Sequence, residues 1–277
     1  MIVPPDDVVA AFGADGSALR RLAGGQERTW TDGQIVLKPV DNPVEHTWVC
    51  DVFDAWPEDA GVRVPRGLRS PDGSWVYHGW AAHGFVPGRS ARMTWEPELI
   101  RSAGEAFHRQ TAALDRPGFL DERTDAWSEG DRVAWEDADP VAADVTLEQI
   151  HRLRAAFAPV EGASQVIHGD LGGNVLVSDD GGPVVIDWPP YFRPPGFALA
   201  VAVGDAVRWE DVPVWFIDAW RDVPDWYQLL ARALVYRLAT AGIQQQDGRA
   251  NLSPEDHAAT SEPAVALVLD RLSVGQR

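Results

Sequence analysis

The chain has 277 residues, 45% of them hydrophobic and 24% charged, so it can bury a sizeable core, and a fibre or a disordered chain is excluded. Its 42 acidic and 24 basic residues give a formal net charge of −18. That balance argues against duplex nucleic acid or an anionic membrane as the main partner, because both reward clustered Lys and Arg. It suits a protein that attracts cationic small molecules.

Features that mark other cellular locations are missing from the sequence. Cys50 is the single cysteine and cannot form an internal disulfide, so nothing indicates an oxidising compartment. The first residues lack the basic segment and long apolar run of a signal peptide. No run of about 18 apolar residues occurs, so no membrane span is expected. We expect a cytoplasmic protein.

The N-terminal part reads as short strands separated by turns. Residues 17–40 contain three strand-like runs, with turn signals at Gly24–Gly25 and Asp32–Gly33. Lys38 ends the third run. The apolar spacing from residue 44 to residue 53 then predicts a helix, and Asp41, Asn42 and Pro43 are suitable capping and first-turn residues.

Two further strands are expected between residues 74 and 86, and Pro87–Gly88 breaks the pattern. Beyond it the sequence becomes helical, with amphipathic or apolar helices predicted within 95–114, 146–157, 195–209 and 225–242. One β-hairpin, made of VLVS and PVVID around the turn DDGG, interrupts the helices. The order of elements predicts an α+β fold with a small strand-rich part followed by a larger helical part.

The use of lysine is unusual. Of the 24 basic residues, 23 are Arg, and Lys38 is the only Lys. An Arg-biased genome would produce this composition by drift. A functional reading is that Lys38 is needed as a compact point charge, which the planar guanidinium of Arg does not replace.

The segment from Gln165 to Pro190 carries the strongest chemical signal. An apolar strand leads into His168, Gly169 and Asp170, and Asn174 stands just before the next strand. After the hairpin, a second strand leads to Asp187. Carboxylate and amide oxygens at neighbouring strand ends suit Mg²⁺, which completes its shell with water and phosphate. Asp170 could also accept the proton of an attacking hydroxyl.

These motifs resemble the protein-kinase-like fold, and within it the aminoglycoside phosphotransferases and choline-kinase-like small-molecule kinases. The His-x-Asp sequence followed by Asn174, and Asp187 at a strand end beyond a hairpin, carry the resemblance. It implies a two-lobe architecture, with an N-lobe over residues 1–86 and a C-lobe over residues 87–277. It also implies Asp170 as the catalytic residue and Asn174 with Asp187 as the metal ligands.

The resemblance assigns further roles in the N-lobe. Gly24 and Gly25 fall where the family has its phosphate-covering loop. Lys38 falls at the phosphate-pairing lysine, and Glu45 falls at the helix residue expected to pair with that lysine.

The resemblance also implies an adenine-binding hinge at Gly84, Phe85 and Val86, which would offer backbone hydrogen bonds. Asp205, on the helix of residues 195–209, corresponds to a buried carboxylate that supports the catalytic loop.

The function implied is Mg²⁺-dependent transfer of phosphate from ATP, with GTP not excluded, to a hydroxyl of a small molecule. An aminoglycoside, an amino sugar or a choline-like alcohol would suit the acidic composition. The alternative is a nucleotide-binding pseudokinase acting as a sensor or scaffold, because the interval from Asp170 to Asn174 is one residue shorter than usual and no Gly follows Asp187. A metal-dependent hydrolase explains neither Lys38 nor the hinge.

The acidic stretch from Asp125 to Asp139 admits two interpretations. Its carboxylates and the rings of Trp127 and Trp135 could line a pocket for a cation. It could equally be a solvated loop with two core tryptophans. Arg193 either touches the substrate or caps the loop that follows Asp187.

Overall fold

A computed structural model describes residues 2–22, 28–179 and 182–275. It divides into two compact units, residues 1–90 with 175–188 and residues 91–174 with 189–277. The first unit thus includes the hairpin after Asn174, which the predicted boundary at residue 86 assigns to the C-lobe. The lobe boundaries remain a prediction.

The first unit is built around an antiparallel sheet. Its strands are β1 (Arg20–Arg21), β2 (Trp30–Thr31), β3 (Ile35–Pro39), β4 (Gly67–Leu68), β5 (Val76–Tyr77) and β6 (Trp80–Gly84). They are ordered β1-β2-β3-β6-β4, and β5 also pairs with β6. In the register of β3 and β6, Lys38 lies opposite Ala81. The sheet therefore holds Lys38 on a strand that is paired on both sides.

Two helices and a second, smaller sheet complete the first unit. The helices are α1 (Asp6–Ala11) and α2 (Pro43–Asp54), and the strands are β7 (Gly88–Ser90), β9 (Val175–Ser178) and β10 (Pro183–Val185), ordered β10-β9-β7. Of the three residues predicted to begin α2, Asn42 is the cap, since its side chain accepts hydrogen bonds from the amides of Val44 and Glu45. Val8 of α1 and Phe12, the cap that follows this helix, pack with Leu37 and Trp80 in an apolar core.

The second unit is mainly helical. Its helices are α3 (Pro97–Thr111), α4 (Ala126–Ala134), α5 (Asp144–Arg154), α6 (Pro195–Trp209), α7 (Trp226–Gln246) and α8 (Pro254–Gly275), with strands β8 (Gln165–His168) and β11 (Pro190–Arg193) paired antiparallel. Helix α7 is buried along most of its length and packs against α4, α5, α6 and α8. An apolar helix surrounded by other helices is the expected centre of such a unit.

Among the described residues, no helix combines the length and the apolar character needed to cross a membrane.

Candidate active site

The side chain of Lys38 is fixed by an ion pair within the first unit. Its Nζ lies 2.7 Å from Oδ1 of Asp187. The Lys38 side chain is 27% exposed and that of Asp187 is 55% exposed. The structure therefore brings together two of the residues predicted from the sequence, although they are 149 positions apart. Glu45 lies in the first turn of α2, and its pairing with Lys38 remains a prediction.

Two histidines near Lys38 were not singled out in the sequence. Burial, reinforced by the nearby charge of Lys38, lowers the pKa of both His46 and His83 to about 4. Both imidazoles are uncharged at neutral pH. The neighbouring imidazoles therefore add no positive charge beside Lys38 at neutral pH.

Asp187 has an unusual backbone conformation for a residue with a side chain. Its φ is +50°, in the left-handed region that Asp and Asn tolerate best among non-glycine residues. The next residue, Trp188, is buried, stacks on Phe53 at 5.5 Å and contacts Trp48 at 5.2 Å between ring centroids. Trp188 is thus anchored by aromatic packing directly after Asp187.

Two of the three backbone amides in the predicted hinge donate hydrogen bonds within the chain. The amide of Gly84 donates to the carbonyl of Arg66 at 3.1 Å, and the amide of Phe85 donates to the carbonyl of Gln34 at 2.7 Å. Within the described part of the chain, the amide of Val86 has no such acceptor. Of the three hinge amides, that of Val86 is the donor available to a ligand.

The loop after β8 is shaped by histidine and glycine in the second unit. Nδ1 of His168 accepts a hydrogen bond from the amide of Asp170 at 3.1 Å, and the amide of His168 donates to Nε2 of His108 at 3.1 Å. A methyl group at Gly169 would overlap the ring of Tyr191. His168 and Gly169 therefore fix the path of the chain into Asp170.

Arg237 holds the Asp170 carboxylate, and sequence reasoning did not identify it. Nη2 of Arg237 lies 2.7 Å from Oδ1 of Asp170, and its Nε lies 2.9 Å from Oδ2 of Asp205. Burial opposes the charge of Arg237, but the two carboxylates dominate and raise its pKa well above the ordinary value. Asp205 thus supports the Asp170 loop as the resemblance implied, and it does so through Arg237.

Asn174 closes the loop that begins at Asp170. Its Nδ2 donates to the carbonyl of Asp170 at 2.7 Å, and its amide donates to the carbonyl of Leu171 at 3.1 Å. With Nδ2 engaged in this way, Oδ1 is the side-chain atom suited to a metal.

The donor set fits Mg²⁺ by its chemistry. Asp187 provides a carboxylate and Asn174 an amide oxygen, both hard ligands, and phosphate and water would complete the shell. Among the described residues no cluster of three or more His, Cys, Asp or Glu could hold a metal. Gly24 and Gly25 lie outside the described residues, so their role as a phosphate cover remains a prediction.

The first part of the acidic stretch forms α4, and its acidic side chains pair with arginines of the chain. Asp125 caps the helix, accepting from the amides of the residues two and three positions on. Asp131 pairs with Arg193 at 2.7 Å, and Arg193 lies over the ring of Trp135 at 4.8 Å. The site suggested for an external cation is therefore filled by an arginine.

Comparisons of structure identify the fold. Spectinomycin phosphotransferase APH(9)-Ia, solved with ADP and spectinomycin, matches 97% of this chain and 97% of its own, with a TM-score of 0.59 and 14% identity. Aminoglycoside phosphotransferase APH(4)-Ia matches 95% of this chain and 96% of its own, with a TM-score of 0.60 and 16% identity. A choline/ethanolamine kinase family protein from Mesorhizobium loti matches 96% and 94%, with a TM-score of 0.55 and 18% identity. The predicted α+β, protein-kinase-like fold is confirmed.

Comparison with sequence families identifies the class. The profile of the phosphotransferase enzyme family, APH, matches residues 53–191, half of the chain. The chain belongs to this family, and it is an enzyme of the kinase class. A comparison with curated proteins finds no match.

Proposed function

We propose that the protein transfers the γ-phosphoryl group of ATP, with GTP also possible as donor, to a hydroxyl group of a small molecule. The observation that carries the proposal is the Asp170 carboxylate, held by Arg237 on a loop shaped by His168 and Gly169. The structure of the similar protein APH(9)-Ia with ADP and spectinomycin supports the same reaction type. We place the reaction in the cytoplasm, on the composition argument from Cys50.

Asp170 acts on the acceptor. In this proposal it orients the hydroxyl and takes its proton. The bond between the γ-phosphorus and the β,γ-bridging oxygen of the nucleotide breaks, and a bond from phosphorus to the acceptor oxygen forms. Arg237 takes no part in the transfer itself and is a positioning residue for Asp170. With 40% of its side chain exposed, Asp170 is accessible to an acceptor.

The residues of the predicted N-lobe, 1–86, act on the nucleotide. Lys38, paired with Glu45, steadies the α- and β-phosphates, and the hinge at Gly84, Phe85 and Val86 binds the adenine edge. The Val86 amide is the donor expected to face the base. The ion pair of Lys38 with Asp187 keeps the ammonium group beside the residue proposed to hold the metal.

Mg²⁺ would be held by Asp187 and Asn174. When bound, it would neutralise charge on the phosphate oxygens. The remaining contribution of the protein is to position the reactants and to place charges where the transition state needs them.

The test is an ATP-consumption screen with Mg²⁺ over a panel of hydroxylated metabolites and antibiotics, with the product identified by mass. We expect ADP formation that depends on an acceptor and disappears in Asp170→Ala. ATP binding without transfer to any acceptor would instead support the pseudokinase. Lys38→Met, titrated with ATP in parallel, should bind the nucleotide more weakly than the wild type.

A further inference from the structure

A cavity of about 370 Å³ lies within the second unit, beside the loop that carries Asp170. Gly172 and Gly173 of that loop form part of its wall, as does the side chain of Arg237. Since Arg237 is bonded to Asp170, the cavity adjoins the predicted catalytic group. Its volume is in the range of small-molecule sites.

The carboxylates in the cavity wall are already paired with donors of the chain. Asp205 receives Nε of Arg237 at 2.9 Å. Oε2 of Glu210 receives the amide of Met93 at 3.1 Å and lies 3.4 Å from Nε of Arg92. These acids are therefore poor partners for an external cation, because a ligand would have to displace internal arginines or compete with them.

The cavity wall also contains an arginine whose donors are largely unused. The side chain of Arg208 is 1% exposed, and its Nε is buried without a partner in the described structure. Nη2 donates to Nδ1 of His257 at 2.9 Å, and Nη1 lies 3.9 Å from Oδ1 of Asp205, beyond hydrogen-bonding distance. Burial and the charge of Arg208 lower the pKa of His257 to about 4, so this partner is neutral at neutral pH.

A guanidinium carries five N–H donors, and leaving them unsatisfied away from water costs free energy. Of those five, one makes a hydrogen bond to the described part of the chain. Burial lowers the pKa of Arg208 to about 10, which still leaves it charged at neutral pH. A carboxylate offers the acceptor geometry that a guanidinium fork matches best.

We infer that this cavity binds the acceptor and that the acceptor is a hydroxylated carboxylic acid whose carboxylate is recognised by Arg208. The inference rests on the proposed function and specifies its substrate class. The indole ring of Trp127 in the same wall gives the acceptor an apolar face to pack against, while the ring of Trp209 lies under the guanidinium of Arg208 at 4.8 Å. The carboxylate of the acceptor takes no part in the phosphoryl transfer. It fixes the orientation in which a hydroxyl reaches Asp170.

This acceptor differs from the cationic one that the net charge of −18 favours. Net charge describes the whole surface, whereas the unused donors in this cavity belong to a single buried arginine. A cationic group would bring like charge to Arg208 and would leave its donors unsatisfied.

The test is binding measured by calorimetry without nucleotide, using matched probes. One series is 3-hydroxybenzoate, 3-hydroxybenzamide and 3-hydroxybenzylamine, and the other is D-gluconate, D-glucitol and 1-amino-1-deoxy-D-glucitol. We expect the acid of at least one series to bind about 10-fold or more tightly than its neutral and cationic analogues, the scale of a charge-assisted hydrogen bond. Equal affinity within both series, preference for the amines, or no binding of either acid at millimolar concentration would overturn the inference.

Variants then assign the preference to Arg208. Arg208→Met should abolish the ratio of acid to neutral affinity, Arg208→Lys should leave part of it, and Arg271→Met, a control outside the cavity wall, should leave it unchanged. The ratio of acid to neutral affinity within one variant does not depend on the folded fraction. It can therefore still be measured when the substitution lowers stability. If Arg208→Met does not fold, the wild-type ratios and Arg208→Lys decide the matter. A ratio unchanged in both Arg208 variants would refute the role of Arg208.

The same probes separate this inference from the proposed function. Acid binding through Arg208 without phosphoryl transfer to any acceptor would contradict the kinase proposal and remove the acceptor role from the cavity. Phosphoryl transfer to amine acceptors, with no acid preference, would leave the kinase proposal intact and refute the substrate class.

Discussion

Replacing Arg237 by Met should destabilise the protein by about 3 kcal/mol, the low end of the cost of breaking a buried ion pair. The Arg237 side chain is 15% exposed and that of Asp205 is 19% exposed, so the variant leaves Asp205 charged with little access to water. Two features keep the loss at the low end. Asp170 is 40% exposed and regains hydration, and Arg208 remains 3.9 Å from Asp205. The assay is urea unfolding followed by tryptophan fluorescence.

Two controls give this experiment its meaning. Asp205→Asn combined with Arg237→Met removes both members of the pair, and it should cost less than the sum of the single changes because the two residues interact directly. Arg271→Met breaks a more exposed pair with Asp218, 2.7 Å apart, and should cost clearly less than Arg237→Met because solvent screens this pair. If Arg237→Met costs no more than Arg271→Met, Arg237 does not hold the catalytic loop in the way described.

Three further changes test the local structure, each by the urea midpoint. Gly169→Ala should lower the free energy of unfolding by about 2 kcal/mol because its methyl group meets the ring of Tyr191. Gly172→Ala is the matched control, with open space at its Cβ position, and should stay within about 0.5 kcal/mol of the wild type. Similar losses in the two variants would contradict this packing. Asn42→Ala should cost about 1 kcal/mol by removing the cap of α2, and no loss would show that the cap is dispensable. Burial lowers the pKa of His108 to about 3, against about 6.5 in the unfolded chain. Its contribution to the free energy of unfolding is therefore complete above pH 6.5 and falls by about 1.4 kcal/mol per pH unit below that pH. His108→Gln should flatten this dependence of stability on pH, and an unchanged slope would contradict the assignment.

Much of the fold could be predicted because its elements carry local signals. The helix after Lys38 has a capping Asn42, and the hairpin after Asn174 has a clear turn sequence. Helix α4 was not predicted, because its acidic residues and Gly130 resemble a loop. In the structure Gly130 packs directly against Thr240 of α7. Only the tertiary contact reveals why a glycine stands there.

The candidate site shows the same limit. Asp170, Asn174 and Asp187 could be found because the chemistry of their motif lies within one short segment. Arg237 could not, because it is one of 23 arginines and lies 67 positions from its partner Asp170. A buried charge in the apolar sequence of α7 was the available signal.

The arginine in the cavity wall was missed for a related reason. Arg208 ends an apolar helix, where an arginine commonly reaches solvent. The structure instead buries it, with 1% of its side chain exposed. Burial of a charged group cannot be read from composition, so the substrate class had to come from the cavity.

The central claim is that Asp170 acts on the acceptor hydroxyl, and the most direct measurement compares turnover of the wild type and Asp170→Asn with the best acceptor. The substitution keeps the shape of the side chain and removes its charge. Turnover should fall by about 10²–10⁴-fold, the scale for losing a positioned general base. ATP affinity, titrated on the same samples, should change little because Asp170 does not hold the nucleotide. Turnover that remains at the wild-type rate in Asp170→Asn would contradict the account.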